Sequence, residues 1–253
     1  YTVHPGQRDA QLVSVPRRPA EAGYRLDREA MTAALPGAGA VWLCAPNTPT
    51  GTPEARDDLV AILQAGAALP DGGPAIVVDE AYIEFDGVSL VELRERYPAL
   101  IVVRTLSKAF AMTGLRVGYA VAARATIEQL ERVRPPGSLN TLSAKAAARA
   151  LRQPEIAAAN AAALAVEREW LAAQLTDAGL PPTPSVTNFL LCRIGSPSTA
   201  DALNEALLRG GIVVRTFGPD SPLAGHLRFT VRNREQNERF LNVIEAWTAG
   251  RSA

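Results

Sequence analysis

Lys108 is the residue whose surroundings allow amine chemistry. It sits in Arg104-Thr105-Leu106-Ser107-Lys108-Ala109-Phe110, a run that continues through Ala111-Met112-Thr113-Gly114-Leu115 to Arg116. A lysine between a hydroxyl residue and a small apolar one can form a Schiff base in a partly desolvated pocket. The hydroxyls of Thr105 and Ser107, with the guanidinium of Arg116, make a candidate phosphate-binding set, because a planar guanidinium fork matches phosphate oxygens. The plainer reading is a solvated loop lysine and a surface arginine. This island alone leaves the two level.

Three further islands add groups of the right kind. Val77-Val78-Asp79-Glu80-Ala81-Tyr82 places an aspartate at the end of an apolar run. A carboxylate there is costly to ionise without a cationic partner. A protonated pyridine nitrogen is one such partner, and a ring so protonated is an electron sink for a carbanion. Tyr82 is placed to reach a phenolic oxygen on the same ring, although a strand-end aspartate also commonly caps the next element. Ala45-Pro46-Asn47-Thr48-Pro49-Thr50-Gly51 reads by turn chemistry as a rigid loop at the edge of a pocket. Arg228, inside His226-Leu227-Arg228-Phe229-Thr230-Val231, needs an anion beside it. A substrate carboxylate or a structural salt bridge would serve, and taken alone the segment favours the salt bridge.

These groups must be carried by alternating strands and helices. Val41–Ala45 and Ala75–Val78 are short apolar runs, as expected of strands buried on both faces; Leu100–Arg104 is a third strand and Val117–Ala122 a fourth. Between the first two, a helix is expected with Thr52 as N-cap, Pro53 at its first position, and Leu59, Ile62 and Leu63 on its buried face. Ser89-Leu90-Val91-Glu92 reads as a capping box opening a short helix. The alternation implies an α/β fold with a mainly parallel sheet and flanking helices. In such a sheet, ligands bind at the carboxyl ends of the strands.

The character changes after Pro135-Pro136-Gly137. Residues 141–179 are rich in alanine and leucine, broken at Pro154, and read as long helices. A strand (Asn188–Arg193), a helix (Thr199–Arg209), two more strands (Ile212–Arg215 and Leu227–Val231) and a closing helix (Glu235–Trp247) follow, giving a smaller C-terminal α+β domain. The division is placed at residue 145: 1–145 as the large domain and 146–253 as the small domain with its linking helices.

Bulk properties narrow the function classes. The 253 residues are 47% hydrophobic and 21% charged, with 26 basic and 26 acidic side chains and no basic block, so neither nucleic acid nor a membrane surface is an expected partner. Cys44 and Cys192 lie far apart in apolar runs, as buried thiols do, and no metal site is expected. The absence of a long apolar stretch or signal peptide makes the cytoplasm the expected location. No G-x-G-x-x-G follows any expected strand, which disfavours a dinucleotide-binding dehydrogenase.

In this order the islands resemble the fold-type I pyridoxal-phosphate (PLP) dependent aminotransferases, and among them the histidinol-phosphate aminotransferases. The matching motifs are PNTPTG at 46–51, DEAYIEF at 79–85, RTLSKAFAMTGLRVGY at 104–119, TNFLL at 187–191, GIVVR at 211–215 and LRFTV at 227–231. The resemblance implies that Lys108 bears the cofactor, Asp79 partners the pyridine nitrogen, and Tyr82 donates to the ring oxygen. It implies Thr105, Ser107 and Arg116 as phosphate ligands, Arg228 as the clamp on a substrate α-carboxylate, and Arg215 near a distal phosphate, with Arg193 a further candidate there.

The implied activity moves an amino group between histidinol phosphate and 2-oxoglutarate, an amino donor and a 2-oxo acid acceptor, in a homodimer. Threonine-phosphate decarboxylase, an aromatic aminotransferase and a non-catalytic relic of the fold are the competing readings. Two departures stand out. Thr48, preceded by Asn47, occupies the place before Pro-Thr-Gly where the family usually has asparagine bonding the ring oxygen. The family's N-terminal part, with a glycine-rich phosphate loop and an aromatic stacked on the cofactor, has no counterpart here; Tyr1 falls near that aromatic without being assignable to it.

Overall fold

The structure is a computed structural model that describes residues 10–70 and 72–252. Tyr1 lies outside the described residues. The chain divides into two compact units. One comprises residues up to Asn47 and Pro53–Pro154, the other Thr48–Thr52 and Glu155–Ala253. The helix over 141–151 therefore goes with the first unit.

The first unit is built on a four-stranded sheet, β1 (Ala40–Cys44), β2 (Ala75–Asp79), β3 (Leu100–Thr105) and β4 (Gly118–Ala122), hydrogen-bonded in that order. β1, β2 and β3 run parallel, and β4 returns antiparallel to β3. β2 and β3 are rich in β-branched residues, as suits strand centres covered on both faces, whereas β1 leaves its central Trp42 48% exposed, so the expectation that it is buried on both faces is not met. Ile76, Val77 and Val78 are all buried. Each such side chain contributes about 1.5–3 kcal/mol when withdrawn from water. Helices α1 (Arg28–Ala33) and α2 (Arg56–Ala67) accompany one face, where Leu59, Ile62 and Leu63 join Val41, Leu43, Ile76, Val78, Leu100 and Val102 in one core. That is the helical face the sequence pattern implies.

Two expected helix starts are corrected. Helix α2 begins at Arg56 behind Ala55, with no side-chain cap, and Thr52 lies in the preceding loop. The buried Thr52 hydroxyl is instead 2.8 Å from that of Thr50. Glu54, which follows Pro53, is drawn away from the helix to pair with Arg17 and to accept from the Leu26 amide at 3.3 Å. Without a cap, Asp57 and Asp58 in the first turn supply the negative charge a helix N-terminus favours. The Ser89 box is half formed. Its hydroxyl accepts from the Val91 amide at 3.0 Å at the head of a 3₁₀ turn, Val91–Glu95, but Glu92 turns outward to Arg56.

A short helix α3 (Ile83–Asp86) follows β2, and α4 (Arg124–Val133) and α5 (Thr141–Leu151) follow β4. Helix α6 (Pro154–Asp177) opens at Pro154, which breaks the alanine-rich run as its composition implies. Proline suits a first helical turn because the amide it lacks has no partner there.

The second unit pairs β5 (Phe189–Arg193) antiparallel with β6 (His226–Thr230), under α7 (Pro197–Arg209) and α8 (Arg234–Ser252). Leu171, Leu175, Leu190, Leu203, Leu207, Leu227, Phe229 and Ile244 form its core. The strand expected at Ile212–Arg215 is not formed. The Ile212 amide closes the end of α7 onto the Leu207 carbonyl, and only Arg215 pairs, as an isolated bridge to Arg228. Ile212 and Val214 pack on the core while Val213 is 85% exposed. The strand-like alternation is thus satisfied without a ladder.

Candidate active site

The carboxyl ends of β1, β2 and β3 are adjacent, and each carries candidate groups. β1 ends at Cys44 and leads through Ala45-Pro46 to the buried Asn47. β2 ends at Asp79, opposite Cys44 on one side and Val103 on the other. Its Oδ1 accepts from the Ala81 amide at 2.9 Å, which fixes the carboxylate at the strand tip. Tyr82 follows, buried at 6% exposure. β3 ends at Thr105 and opens the loop bearing Lys108.

The structure brings Lys108 and Tyr82 together: Lys108 Nζ lies 5.2 Å from the centroid of the Tyr82 ring. An ammonium over an aromatic face is held by the ring quadrupole. The loop behind Lys108 is closed by its own bonds. The Leu106 amide donates to the Val117 carbonyl at 3.1 Å, that of Met112 to Leu106 at 3.0 Å, and that of Ala111 to Lys108 at 2.9 Å.

Thr105 and Ser107 are coupled. Thr105 Oγ1 is 3.0 Å from Ser107 Oγ and accepts from the Ser107 amide at 3.1 Å. Arg116 caps the 3₁₀ turn Thr113–Leu115 at φ 53°, is exposed, and donates from Nη1 to the Thr113 carbonyl at 3.3 Å. A left-handed backbone is uncommon for a residue with a Cβ. It precedes Val117, whose carbonyl accepts from Thr105 Oγ1 at 3.1 Å.

A second network lies beside this cluster, and sequence reading missed it. Glu80 is 1% exposed and accepts from Arg104 Nε and Nη2 at 3.0 and 2.8 Å, from the Leu90 amide at 2.8 Å, and from the Ser89 hydroxyl. Burial alone would push the Arg104 guanidinium pKa down; its bonds to and charge attraction with Glu80 outweigh that and carry it up. The pair joins the residue after Asp79 to the residue before Thr105. It therefore sets the ends of β2 and β3 side by side. Opposite charges at the ends of neighbouring apolar strands were the available signal. Glu84, partly buried nearby, has its carboxyl pKa raised by burial.

The remaining candidates belong to the second unit. Arg228 Nη1 donates to Thr48 Oγ1 at 3.0 Å, and its guanidinium lies 4.6 Å from the centroid of the Phe189 ring. A hydroxyl and an aromatic face are thus among the neighbours of Arg228. Arg215 and Arg228 exchange both backbone bonds, at 3.1 and 3.0 Å. Directly opposed residues in an antiparallel pair leave the same face with Cβ atoms about 5 Å apart. Two guanidinium stems that leave one face of a backbone pair can share an anion. Arg193, by contrast, is exposed at the end of β5, opposite His226. Arg168, half-buried on α6, donates to the carbonyls of Val186 and Thr187 at 3.0 and 3.2 Å, and burial lowers its pKa.

The sequence family described as aminotransferase class I and II matches residues 6–244. The chain belongs to that family. The expected resemblance to fold-type I PLP-dependent aminotransferases, and to histidinol-phosphate aminotransferases among them, is borne out. A histidinol-phosphate aminotransferase of Thermococcus gammatolerans is 35% identical over 252 residues, which is 100% of this chain and 68% of that protein. One of Thermoanaerobacter pseudethanolicus is 39% identical over 206 residues, 81% of this chain and 56% of that protein. The crystal structure of histidinol-phosphate aminotransferase from Sinorhizobium meliloti in complex with pyridoxal-5'-phosphate superposes with a TM-score of 0.88 at 27% identity, over 98% of this chain and 67% of that one. The chain thus spans 56–68% of the length of these relatives. Among the described residues, no helix is long and apolar enough to cross a membrane.

Proposed function

We propose that this chain carries the cofactor-binding and carboxylate-binding parts of a PLP-dependent aminotransferase acting on histidinol phosphate. The observation that supports it best is the grouping of an amine, an aromatic hydroxyl and a carboxylate, from Lys108, Tyr82 and Asp79, at the carboxyl ends of adjacent parallel strands. The groups present fit PLP. Lys108 suits its aldehyde carbon, Asp79 its ring nitrogen, Tyr82 and Asn47 its ring oxygen, and Thr105, Ser107 and Arg116 its phosphate. When bound, the cofactor supplies an electron sink that makes the substrate α-hydrogen acidic.

The chain's own residues do the rest. Asp79, fixed at its strand tip by the Ala81 amide, holds a proton on the ring nitrogen by its negative charge. Lys108, its amine free, would take the proton from the substrate α-carbon as general base. The closed loop behind it limits where Nζ can reach, which supplies orientation. Ser107, held by Thr105, presents a hydroxyl donor, and Arg116 adds a full positive charge for a phosphate.

Arg228 binds the α-carboxylate of the amino-acid or oxo-acid partner, for which we propose glutamate and 2-oxoglutarate. Histidinol phosphate has a phosphate and no carboxylate, so Arg215, opposed to Arg228 in the backbone pair, is the group proposed for that anion. Homodimeric assembly in the cytoplasm belongs to the same reading and is supported by the resemblance alone. Incubation with PLP, histidinol phosphate and 2-oxoglutarate tests the reading: glutamate formation is expected. Release of carbon dioxide from threonine phosphate without glutamate formation would favour the decarboxylase.

A further inference from the structure

Arg168 lies on α6, away from the residues given chemical roles, yet its contacts lead to Arg228 by two routes. Its Nη1 grips the carbonyls of Val186 and Thr187, in the middle of the loop Ser185–Phe189. That loop is tied internally. The hydroxyls of Ser185 and Thr187 are 3.0 Å apart and donate to the Phe189 carbonyl at 2.8 and 3.3 Å, which ties the two ends of the segment together.

The first route is direct, because the Phe189 ring lies against the Arg228 guanidinium. The second runs through Gly51. The Val186 amide donates to the Gly51 carbonyl at 2.9 Å. At φ +82°, Gly51 approaches the loop so closely that a Cβ would meet Ser185 Oγ at 2.3 Å and Thr187 Oγ1 at 3.2 Å. Three residues before Gly51 stands Thr48, whose hydroxyl accepts from Arg228. The loop gripped by Arg168 thus leads to two neighbours of the Arg228 guanidinium, Phe189 and, through Gly51, Thr48. Both bonds leave one nitrogen, Nη1, so an ammonium that reached the same point could make them as well, and Arg168→Lys retains part of the grip.

We propose that Arg168 is a positioning residue for carboxylate recognition: by seating the Ser185–Phe189 loop it sets the aim of Arg228, and so the affinity for a substrate α-carboxylate, without touching the ligand. The proposal rests on reading Arg228 as the carboxylate clamp. It extends that reading to a residue on a different element.

Calorimetric titration of the full chain with 2-oxoglutarate tests it, using Arg168→Gln, Arg168→Lys, Gly51→Ala, Arg228→Gln and the Arg168→Gln/Arg228→Gln pair. Arg168→Gln is expected to weaken binding about tenfold, with a smaller loss for Arg168→Lys, since misaiming a binding group by a fraction of an ångström is enough for this. Gly51→Ala, which disturbs the same loop from the Thr48 side, should give a similar loss. In the Arg228→Gln chain, Arg168→Gln should add nothing further, because residues acting through one another are not additive. Unchanged affinity in Arg168→Gln or in Gly51→Ala, or a full additional loss in the pair, overturns the positioning role while leaving the clamp intact. If Arg228→Gln itself binds as the unaltered chain does, or the unaltered chain does not bind, the clamp reading falls and the proposal with it.

Discussion

Arg228 donates to the hydroxyl of Thr48, 180 residues earlier in the chain, at 3.0 Å. The family resemblance places at that position an asparagine that bonds the ring oxygen; here a threonine hydroxyl meets the arginine. The hydroxyl accepts from Arg228 and still has a proton of its own to donate. Thr48→Val preserves shape and removes the acceptor. Hydrogen bonds to charged groups are worth about 1.5–3 kcal/mol, so KM for the carboxylate partner should rise by about tenfold or more. Thr48→Asn, which restores an acceptor, should leave KM near its original value. Steady-state kinetics with 2-oxoglutarate as the varied substrate measures both.

The Glu80–Arg104 pair makes a sharper claim about stability than the surface ion pairs do. Glu80 is almost wholly buried, so Arg104→Met strands a carboxylate in the interior. Removing one partner of a buried pair costs about 3–5 kcal/mol. The midpoint of urea unfolding should fall steeply, whereas Arg124→Met, breaking an exposed pair with Glu128, should leave it nearly unchanged.

Glu84 predicts a dependence on pH. Burial raises its folded pKa above the ordinary 4.5, so the unfolded chain gives up this proton more easily. Ionisation then favours unfolding, and stability is lost as pH rises from 4.5 through the folded value. Glu84→Gln removes that loss. The variant should melt at a higher temperature than the original at pH 7, and the advantage should vanish below the ordinary carboxyl range. An equal advantage at both pH values would contradict the assignment.

Cys192 is fully buried, and burial pushes its thiol up to about 12. The reactive species is the thiolate. Iodoacetamide at pH 8 should therefore leave Cys192 unmodified in the folded chain and alkylate it in urea, as peptide mass spectrometry would show.

Much of this was legible in the sequence because the relevant signals are local. Strands such as Ile76-Val77-Val78 announce themselves by β-branched residues, and Asp79, Tyr82 and Lys108 are fixed by their distance from strand ends. Misreadings arose where a distant residue decided the outcome. Thr52 has the chemistry of an N-cap, but Glu54 is pulled towards Arg17 and Leu26, and the helix starts later. Ile212–Arg215 alternates like a strand, but the end of α7 consumes its first amide. Arg168 carried no sequence signal, and Phe189 was legible only as part of a strand and of the TNFLL motif, because what matters about them is which carbonyls and which guanidinium they meet.

Everything chemical depends on the amine at position 108. The sequence contains only two lysines, Lys108 and Lys145, which makes the decisive measurement simple. The chain is incubated with PLP, reduced with borohydride, digested, and the labelled peptide is identified by mass. Label is expected on the peptide containing Lys108, and none there after Lys108→Ala. Label confined to Lys145 or the terminal amine would contradict it.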